Sequence, residues 1–519
     1  MRQAGTRQAK KQVNCFSGSV IIEKMIAERK GQLMEYQITG YQPEKLFHFF
    51  EEISAIPRGS GNEKGISDYL VTFAKKRGLW VHQDEAWNVI IKKAGSPGAE
   101  DREPVMLQGH IDMVCEKLAG VEHDFTKEGL KLLVKDGVLT ADGTTLGADN
   151  GVAVALMLMV LDDEEIIHPP VECVFTTEEE VGLNGATALD KSLIDARIMI
   201  NMDSEEEGVG TVSCAGGLRV ECARPVKRET AGGTLIELEI TGLKGGHSGM
   251  DIDKERQNAN RLMARVVWQL LKNTEGKLVD FSGGNKDNAI PRECRASLIC
   301  ADPAEAGKAE ELARRLADVL ASEIVPYEEN FVCRVKTEEN RTAASVPAED
   351  AKAFVTAMYL APNGVQSRNM KMDGFVVTSV NMGVVRAEEE RLVLVFSPRS
   401  SVASLQEEMK ERLHLLADTF GFTFTSSGEY PGWSYKEDSK IREVFLESYR
   451  ALFGKEMKME AIHAGLECGL FSDALPGLDA IAVGPTLYHV HTPEENLPLD
   501  SFERFYKLLK DVLRRLAEG

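Results

Sequence analysis

The stretch VMLQGHIDM at residues 105–113 is the part of this 519-residue chain that decides its fold class. A short apolar run ends there and is followed at once by a histidine and an aspartate. Two further apolar runs of strand length lie at residues 171–175 and 196–202, with the apolar helical stretch 151–161 before them. Short apolar strands that alternate with helices indicate a wound, mostly parallel sheet, in which ligands bind at the carboxyl ends of the strands. We therefore expect an α/β domain with a polar site just beyond the first of these strands.

The hydrophobic pattern changes near residue 217, which indicates a second domain. Ile236, Leu238 and Ile240 alternate with glutamates, as in an antiparallel strand with one buried face. A helix is predicted over residues 253–273, and a second set of helix and strands over residues 347–424 makes this segment α+β. The chain then returns to the first domain with a helix, an apolar strand and a closing amphipathic helix. The predicted boundaries are a non-native or disordered N-terminal extension at 1–40, the α/β domain at 41–216 and 429–519, and the inserted domain at 217–428.

The composition excludes several classes of protein. The chain has 82 acidic and 61 basic side chains, a formal net charge of −21, which argues against a nucleic-acid partner. Its longest uncharged apolar run, residues 151–161, is far shorter than the roughly 20 residues of a membrane span. The nine cysteines are scattered with no CxxC pair, and the basic N-terminus lacks a signal-peptide core. We expect a soluble protein of the cytoplasm with no nucleic-acid or membrane partner and no disulfide framework.

Five short strings place acidic residues or histidines after an apolar strand or at the start of an apolar helix. The residues concerned are His110, Asp112, Asp149, Glu178, Glu179, Glu180, Asp203, His489 and His491. Taken singly, each has an ordinary explanation: Asp149 is placed to cap the apolar helix, and the three successive glutamates are typical of a solvated charge run. Taken together, histidines and carboxylates without cysteine are the ligands of zinc, manganese or cobalt in enzyme sites. Divalent cations would also offset the repulsion between clustered carboxylates.

A set of strings carries a resemblance to one family. They are LQGHIDMV (107–114), GTTLGADNG (143–151), DSEEEG (203–208), CAGG (214–217), GLKGGHSG (242–249), NAIPREC (288–294), HAGLECG (463–469), and GPT (484–486) followed by HTPEE (491–495). From about Tyr41 to its C-terminus the chain resembles the M20-type metallopeptidases, and most closely the aminoacyl-histidine dipeptidases among them. The resemblance implies a zinc-peptidase-like α/β catalytic domain with a mostly parallel sheet, interrupted by an α+β lid domain. It also implies a homodimer formed through the lid.

The resemblance assigns a role to each candidate near the metal. It implies two divalent ions per chain, Zn²⁺ in the first place with Co²⁺ or Mn²⁺ as alternatives, and five ligands: His110, Asp149, Glu180, Asp203 and His491. Asp149 is the bridging carboxylate in this assignment, and Asp112 orients the imidazole of His110. Glu179 is the general base. Residues two apart on an extended segment share a face, so spacing leaves His489 open, and the family match alone favours His491.

The substrate residues implied by the resemblance lie outside the metal strings. They are His247, Asn288, Arg399, His463 and Glu467. His247 is expected to stabilise the oxyanion, often from a partner subunit in the family, although a histidine among glycines also suits a plain turn. Arg399 and Asn288 are expected to bind the free carboxylate of a short substrate, against the alternatives of a surface arginine and a turn asparagine. His463 and Glu467 are expected to face the substrate or to support the ligands.

These assignments lead to one expected activity and two alternatives. We expect metal-dependent hydrolysis of unblocked dipeptides, Xaa-His dipeptides included, in which Glu179 takes the proton of a water that bridges the metals. The substrates would then be small peptides. The alternatives are an N-acyl amino acid deacylase of the same fold and a non-catalytic binding protein that retains the fold.

Overall fold

The computed structural model describes residues 36–371 and 374–519. Residues 1–35, most of the predicted extension, lie outside the described residues. The first described residues pack against helix α1 (Glu44–Ser54): Ile38 is buried, and its N–H donates to Glu51 at 2.7 Å. The folded domain therefore begins before the boundary predicted at residue 40, because Ile38 is covered by the helix that follows it.

The first part of the α/β domain alternates short strands with helices. Its further helices are α2 (Lys64–Lys76), α3 (Ala148–Asp162) and α4 (Asn184–Ala188). Its strands are β1 (Trp80–Gln83), β2 (Val89–Lys93), β3 (Val105–His110), β4 (Leu132–Lys135), β5 (Val138–Ala141), β6 (Val171–Thr176), β7 (Ile198–Asn201) and β8 (Val209–Cys214). The predicted apolar runs thus form the strands β3, β6 and β7 and the helix α3.

The inserted domain follows directly on β8. Its strands are β9 (Gly216–Pro225), β10 (Glu229–Thr241), β11 (Gly246–His247), β12 (Lys277–Gly283), β13 (Ala289–Ile290), β14 (Cys294–Cys300), β15 (Val332–Ser345), β16 (Gly364–Asn369), β17 (Phe375–Ala387), β18 (Arg391–Ser400) and β19 (Thr423–Tyr430). Its helices are α5 (Ala259–Asn273), α6 (Pro303–Ile324), α7 (Ala348–Leu360) and α8 (Ala403–Phe420).

The C-terminal segment completes the first domain. It contains α9 (Lys440–Phe453), β20 (Lys458–Ile462), α10 (Glu467–Ala474), β21 (Asp479–Ala482), β22 (Asn496–Pro498) and α11 (Leu499–Glu518). The strand order in the main sheet is β1-β2-β6-β3-β7-β21-β8-β20, so β21 lies between strands of the first segment. The four central strands β6, β3, β7 and β21 run parallel to one another, whereas β2 pairs with β6 and β8 with β21 in antiparallel direction. The predicted return of the chain to a mostly parallel sheet is therefore observed.

Helix α3 is the apolar centre of this domain. From Gly151 to Leu161 every residue is buried, and the helix packs against α1 and β3. Gly109 at the end of β3 permits this close packing, because a Cβ there would lie within 3.1 Å of the Asn150 side-chain nitrogen. In residues 36–371 and 374–519, no helix is both long enough and apolar enough to span a membrane.

The inserted domain is an antiparallel sheet covered by helices. In β10, Ile236, Leu238 and Ile240 are buried and pair in antiparallel register with β14, as their alternation predicts. The helix predicted over 253–273 begins later, at Ala259. Its N-terminus is fixed by Asn258, whose side chain accepts hydrogen bonds from two backbone N–H groups of the first turn. Glu255, with a positive φ of 51°, interrupts any earlier helical path.

Candidate active site

The carboxyl ends of three adjacent strands bring the predicted metal ligands together. Strands β6, β3 and β7 are neighbours in the sheet. His110 ends β3, Asp203 follows β7, and the triple glutamate follows β6. Asp149 lies in the first turn of α3, beside the same edge. Residues far apart in sequence therefore meet because parallel strands end at a common edge.

Asp149 faces a different histidine with each of its oxygens. Its Oδ1 lies 3.0 Å from His110 Nε2, and its Oδ2 lies 3.1 Å from His491 Nε2. His110 Nε2 is also 3.3 Å from Asp203 Oδ1, and His491 Nε2 is 3.0 Å from Glu180 Oε1. Asp149 does not cap α3, because the capping position is Gly147 and Asp149 itself has non-helical dihedral angles. The arrangement is that of two half-sites with a shared carboxylate.

The donors of this cluster suit a metal ion. Ligand atoms of His110, Asp149 and Glu180 all lie within 4.8 Å of one another. Burial acts to lower the pKa of His110, but the charge of Asp203 and hydrogen bonds with carboxylates raise it well above its ordinary value. Hydrogen bonds that its Nε2 donates to the carboxylates of Asp149 and Glu180 raise the pKa of His491 to about 11. The carboxylates therefore favour the charged form of both imidazoles. A divalent cation bound between these side chains would offset the same negative charge of the carboxylates.

Glu179 and Glu180 are fixed through their backbone. Their N–H groups donate to the two oxygens of Asp112, at 3.2 and 3.3 Å. Burial and the charges of Asp203 and nearby glutamates raise the pKa of Glu179 to about 9, against the opposing effect of His110. Glu178 turns elsewhere, since its carboxylate accepts a hydrogen bond from the Asn184 side chain. The triple glutamate is therefore not a uniform solvated run.

Asp112 joins His110, a predicted metal ligand, to the loop of the glutamates. It is fully buried, and its Oδ1 lies 3.3 Å from His110 Nδ1. Its Oδ2 accepts a hydrogen bond from Ser60 Oγ at 2.8 Å. The pKa of Asp112 lies below its ordinary value: burial acts to raise it, but the hydrogen bond with His110 and the charge of His110 outweigh burial. One carboxylate thus contacts an imidazole, a serine hydroxyl and the backbone of the glutamate loop.

His489 and His491 belong to the same turn but make different contacts. His491 points its Nε2 at Asp149 and Glu180. His489 is exposed, and its carbonyl accepts hydrogen bonds from the N–H and hydroxyl of Thr492. The geometry therefore places His491 in the cluster, and His489 holds the turn through its backbone.

A second group of predicted residues gathers around Arg399. The Arg399 side chain is 8% exposed and donates to the Tyr430 hydroxyl at 2.9 Å. His463 Nε2 lies 2.8 Å from Ser379 Oγ, and burial together with the charge of Arg399 lowers the pKa of His463 to about 3. Burial and Arg399 also lower the pKa of His247. All three therefore lie near one another within a single chain.

His247 and Asn288 belong to paired strands of the inserted domain. His247 pairs with Ala289 in β11 and β13, and the Asn288 carbonyl accepts from Ser248 N–H at 2.9 Å. His247 Nδ1 accepts hydrogen bonds from the N–H groups of Gly249 and Met250. The ring is therefore a turn partner through its Nδ1, as the alternative explanation requires.

Glu467 lies beneath the predicted metal ligands. It is 0% exposed, and Oε2 accepts hydrogen bonds from Gln108 on β3 and Thr176 at the end of β6. Burial, with the charge of Asp203, raises its pKa to about 7, against the opposing effect of His110. Glu467 was expected either to face the substrate or to support the ligands. Because no part of its side chain reaches solvent, the second role is favoured. Among the described residues, no hydrogen bond or ion pair joins the Arg399 group to the metal ligands directly, and residues 463–467 connect the two along the chain.

Two buried residues of this site carried no assigned role in the sequence. Arg58 and Glu495 both contact the turn that precedes Asp149. Glu495 is the last residue of the string HTPEE, so the family motif already pointed to this position. Arg58 stands in a glycine- and serine-rich segment between helices, where no periodicity distinguishes a buried arginine from a surface one.

Comparison with known families identifies the group to which this geometry belongs. The profile of "Peptidase family M20/M25/M40" matches residues 106–515, most of the chain. The chain belongs to this family. The M20 resemblance read from the sequence is thereby confirmed, as is the α/β fold with a mostly parallel sheet and a second sheet domain as its lid.

Individual M20 relatives match nearly the whole chain. The cytosol non-specific dipeptidase of Escherichia coli (strain K12) is 35% identical over 483 residues, which are 92% of this chain and 99% of the relative. The crystal structure of aminoacylhistidine dipeptidase from Vibrio alginolyticus superposes with a TM-score of 0.88 at 35% identity, covering 93% of this chain and 99% of that one. A tripeptidase from Staphylococcus aureus, 17% identical, shares the fold with a TM-score of 0.52 over 92% of this chain and 100% of its own.

Substitution Asp112→Asn is expected to weaken metal binding about tenfold to a hundredfold, because an amide holds His110 and the glutamate loop less well than a carboxylate. Titration of the metal-free protein with Zn²⁺ against a chromophoric chelator measures the change. Asp101→Asn, at an exposed aspartate, is the matched control. Equal affinity in the two variants would contradict the assigned role of Asp112.

Proposed function

We propose that this protein is a metal-dependent dipeptidase that hydrolyses unblocked dipeptides, Xaa-His dipeptides among them, with two divalent ions per chain. The observation that carries the proposal is Asp149, which presents one oxygen to His110 and the other to His491. The names of two relatives that match over nearly the whole chain, a cytosol non-specific dipeptidase and an aminoacylhistidine dipeptidase, support the substrate class. We propose Zn²⁺ as the ion, with Co²⁺ or Mn²⁺ as alternatives of similar ligand preference.

The five ligands divide between the two half-sites. His110 and Asp203 would hold one ion, Glu180 and His491 the other, and Asp149 would bridge them. When bound, the ions would supply Lewis acidity at the peptide carbonyl and lower the pKa of an attacking water. Asp112 keeps the His110 ring in place by facing its Nδ1.

Glu179 is the proposed general base. Its backbone N–H is held by Asp112, so the side chain starts from a fixed point beside the ligands. Glu179 would accept the proton of the attacking water and return it to the leaving amine. No side chain of the protein is needed as a nucleophile, and we expect no covalent intermediate.

The Arg399 group is the proposed site for the free carboxylate of the dipeptide. A guanidinium forms paired, charge-assisted hydrogen bonds with a carboxylate, and Tyr430 holds Arg399 in position. His463 stays neutral beside it because its pKa is about 3, so it adds a hydrogen-bonding ring without a second charge. Asn288 would add a contact to the substrate, and His247 Nε2 would stabilise the oxyanion.

The assembly and compartment remain predictions. His247 and Arg399 approach each other within one chain, so both groups are available in each subunit. We propose that the homodimer forms through the lid domain and that the protein acts in the cytosol, as the name of the Escherichia coli relative states for that protein.

Chelation and a substrate panel test the proposed activity. We expect about two Zn²⁺ ions per chain, loss of dipeptide hydrolysis after chelation, and recovery when Zn²⁺ is restored. Free dipeptides, including Xaa-His, should be cleaved, whereas N-acetyl amino acids should not. Cleavage of N-acetyl amino acids alone would establish the deacylase, and absence of any hydrolysis in the metal-loaded protein would favour the binding protein.

Substitution Glu179→Gln should lower kcat about 10²- to 10⁴-fold, because an amide cannot accept the proton of the attacking water. Zn²⁺ content should stay near the wild-type level, since Glu179 is not among the proposed ligands. Glu178→Gln, one residue earlier, is the matched control and should retain activity. Intact hydrolysis in Glu179→Gln would exclude Glu179 as the base.

Substitution Arg399→Met should raise KM for free dipeptides about tenfold to a hundredfold, because a hydrogen bond between charged groups contributes roughly 1.5–3 kcal/mol. A dipeptide with an amidated C-terminus lacks the charge and should be far less affected. Arg412→Met, at an exposed arginine on α8, is the control. An equal loss on both substrates would show that Arg399 does not read the carboxylate.

A further inference from the structure

Two buried side chains of opposite charge contact the turn before Asp149. Arg58 is 1% exposed and Glu495 is 2% exposed, although they are far apart in the sequence. A buried charge is costly unless it is neutralised and hydrogen-bonded. Both residues form hydrogen bonds with the same short segment, residues 146–149, which we call the bridging turn.

Arg58 binds the carbonyl groups of two loops. Its Nη1 donates to the carbonyls of Ile111 and Asp112, each at 3.1 Å. Its Nη2 donates to the carbonyl of Gly147. The guanidinium therefore ties the loop of Asp112 to the bridging turn without using a side-chain carboxylate as a partner.

Glu495 binds the amide groups of the same turn. Its Oε2 accepts from the N–H groups of Leu146 and Gly147 at 2.8 and 2.9 Å, and its Oε1 accepts from Asp149 N–H at 3.2 Å. These amides precede or begin α3, where N–H groups have no partner within the helix. Asp149 cannot serve as the cap, because its own oxygens face His110 and His491.

The turn is shaped around the guanidinium. A Cβ at Gly147 would lie 2.6 Å from Arg58 Nη2, and one at Gly151 would lie 2.8 Å from the same atom. Gly147 also has a positive φ of 63°, which favours glycine. At both glycines the backbone thus lies too close to Arg58 to leave room for a Cβ.

Glu495 is joined to a proposed ligand by a short turn. Its N–H donates to the Thr492 carbonyl at 3.0 Å, and Thr492 N–H donates to the His489 carbonyl at 3.2 Å. His491 lies inside the turn from His489 to Thr492, and Thr492 also begins the turn that ends at Glu495. A shift of Glu495 would therefore displace His491 as well as Asp149.

We infer that Arg58 and Glu495 act as positioning residues for the metal pair, an inference that rests on the proposed function. Arg58 fixes the carbonyl side of the bridging turn, and Glu495 fixes its amide side. Together they aim the two oxygens of Asp149 at His110 and His491. Because Arg58 and Glu495 are side chains of opposite charge, the pair adds no net charge to an acidic site.

The test measures Zn²⁺ affinity of the metal-free protein by competition with a chelator, alongside thermal unfolding without metal. Glu495→Gln should weaken binding about tenfold to a hundredfold, because its amide nitrogen would face backbone N–H groups. Arg58→Lys should weaken it similarly, since an ammonium does not span three carbonyls. Glu494→Gln, exposed and adjacent, is the control and should bind as the wild type does.

A second measurement separates positioning from general damage. Because the ligands are intact in these variants, dipeptide hydrolysis should return toward the wild-type kcat as buffered Zn²⁺ is raised, and Glu495→Asp should recover part of the affinity. Affinity equal to that of Glu494→Gln, or a loss that Zn²⁺ does not restore, would overturn the inference. Should Glu495→Gln not fold, Arg58→Lys and Glu495→Asp carry the same test. Failure of the wild type to bind Zn²⁺ would instead refute the proposed function itself.

Discussion

Carboxylates buried side by side repel one another strongly, and this repulsion is the constraint around which the structure is arranged. Asp149, Glu180 and Asp203 meet at one edge of the sheet with Glu179 beside them. Without compensation, burial would drive such groups to bind protons. Part of that compensation comes from His110 and His491, whose pKa values the neighbouring carboxylates raise. A pair of divalent cations would offset the remaining negative charge. The carboxylates at this edge of the sheet could then serve catalysis by holding those cations.

The surrounding structure keeps these carboxylates close together although they repel one another. The parallel strands β3, β6 and β7 fix the spacing of the ligands, and α3 is packed on all sides by apolar residues. Asp112 and Glu495 bind backbone amides, whereas Arg58 binds backbone carbonyls. Rigid apolar packing and directed hydrogen bonds thus act together, since apolar packing alone does not orient a carboxylate. The lid contributes Arg399 and His247, which lie near His463 of the first domain, and residues 463–467 lead along the chain from His463 to Glu467.

Sequence patterns anticipated most of this arrangement, and the exceptions have physical causes. The alternation of apolar runs predicted β3, β6, β7 and α3, because burial on both faces leaves a clear hydrophobic signal. The start of α5 was misplaced at Asp253, because the polar residues 253–258 do not show in sequence that the helix begins only after the cap at Asn258 and the positive φ of Glu255. Asp149 resembled a helix cap by position, yet its oxygens face two histidines that lie 39 residues before it and 342 residues after it.

By itself, the sequence determined the family, the α/β fold with its inserted domain, and which acids and histidines were worth considering. Local spacing and apolar periodicity carry that information because they depend on neighbours along the chain. Only the tertiary structure decided that each oxygen of Asp149 faces its own histidine, that Glu467 lies beneath the cluster, and that Arg58 and Glu495 hold one turn. Glu495 reaches Leu146 across 349 residues. Contacts of that range arise when the closing segment folds back onto the first domain, and no local pattern records them.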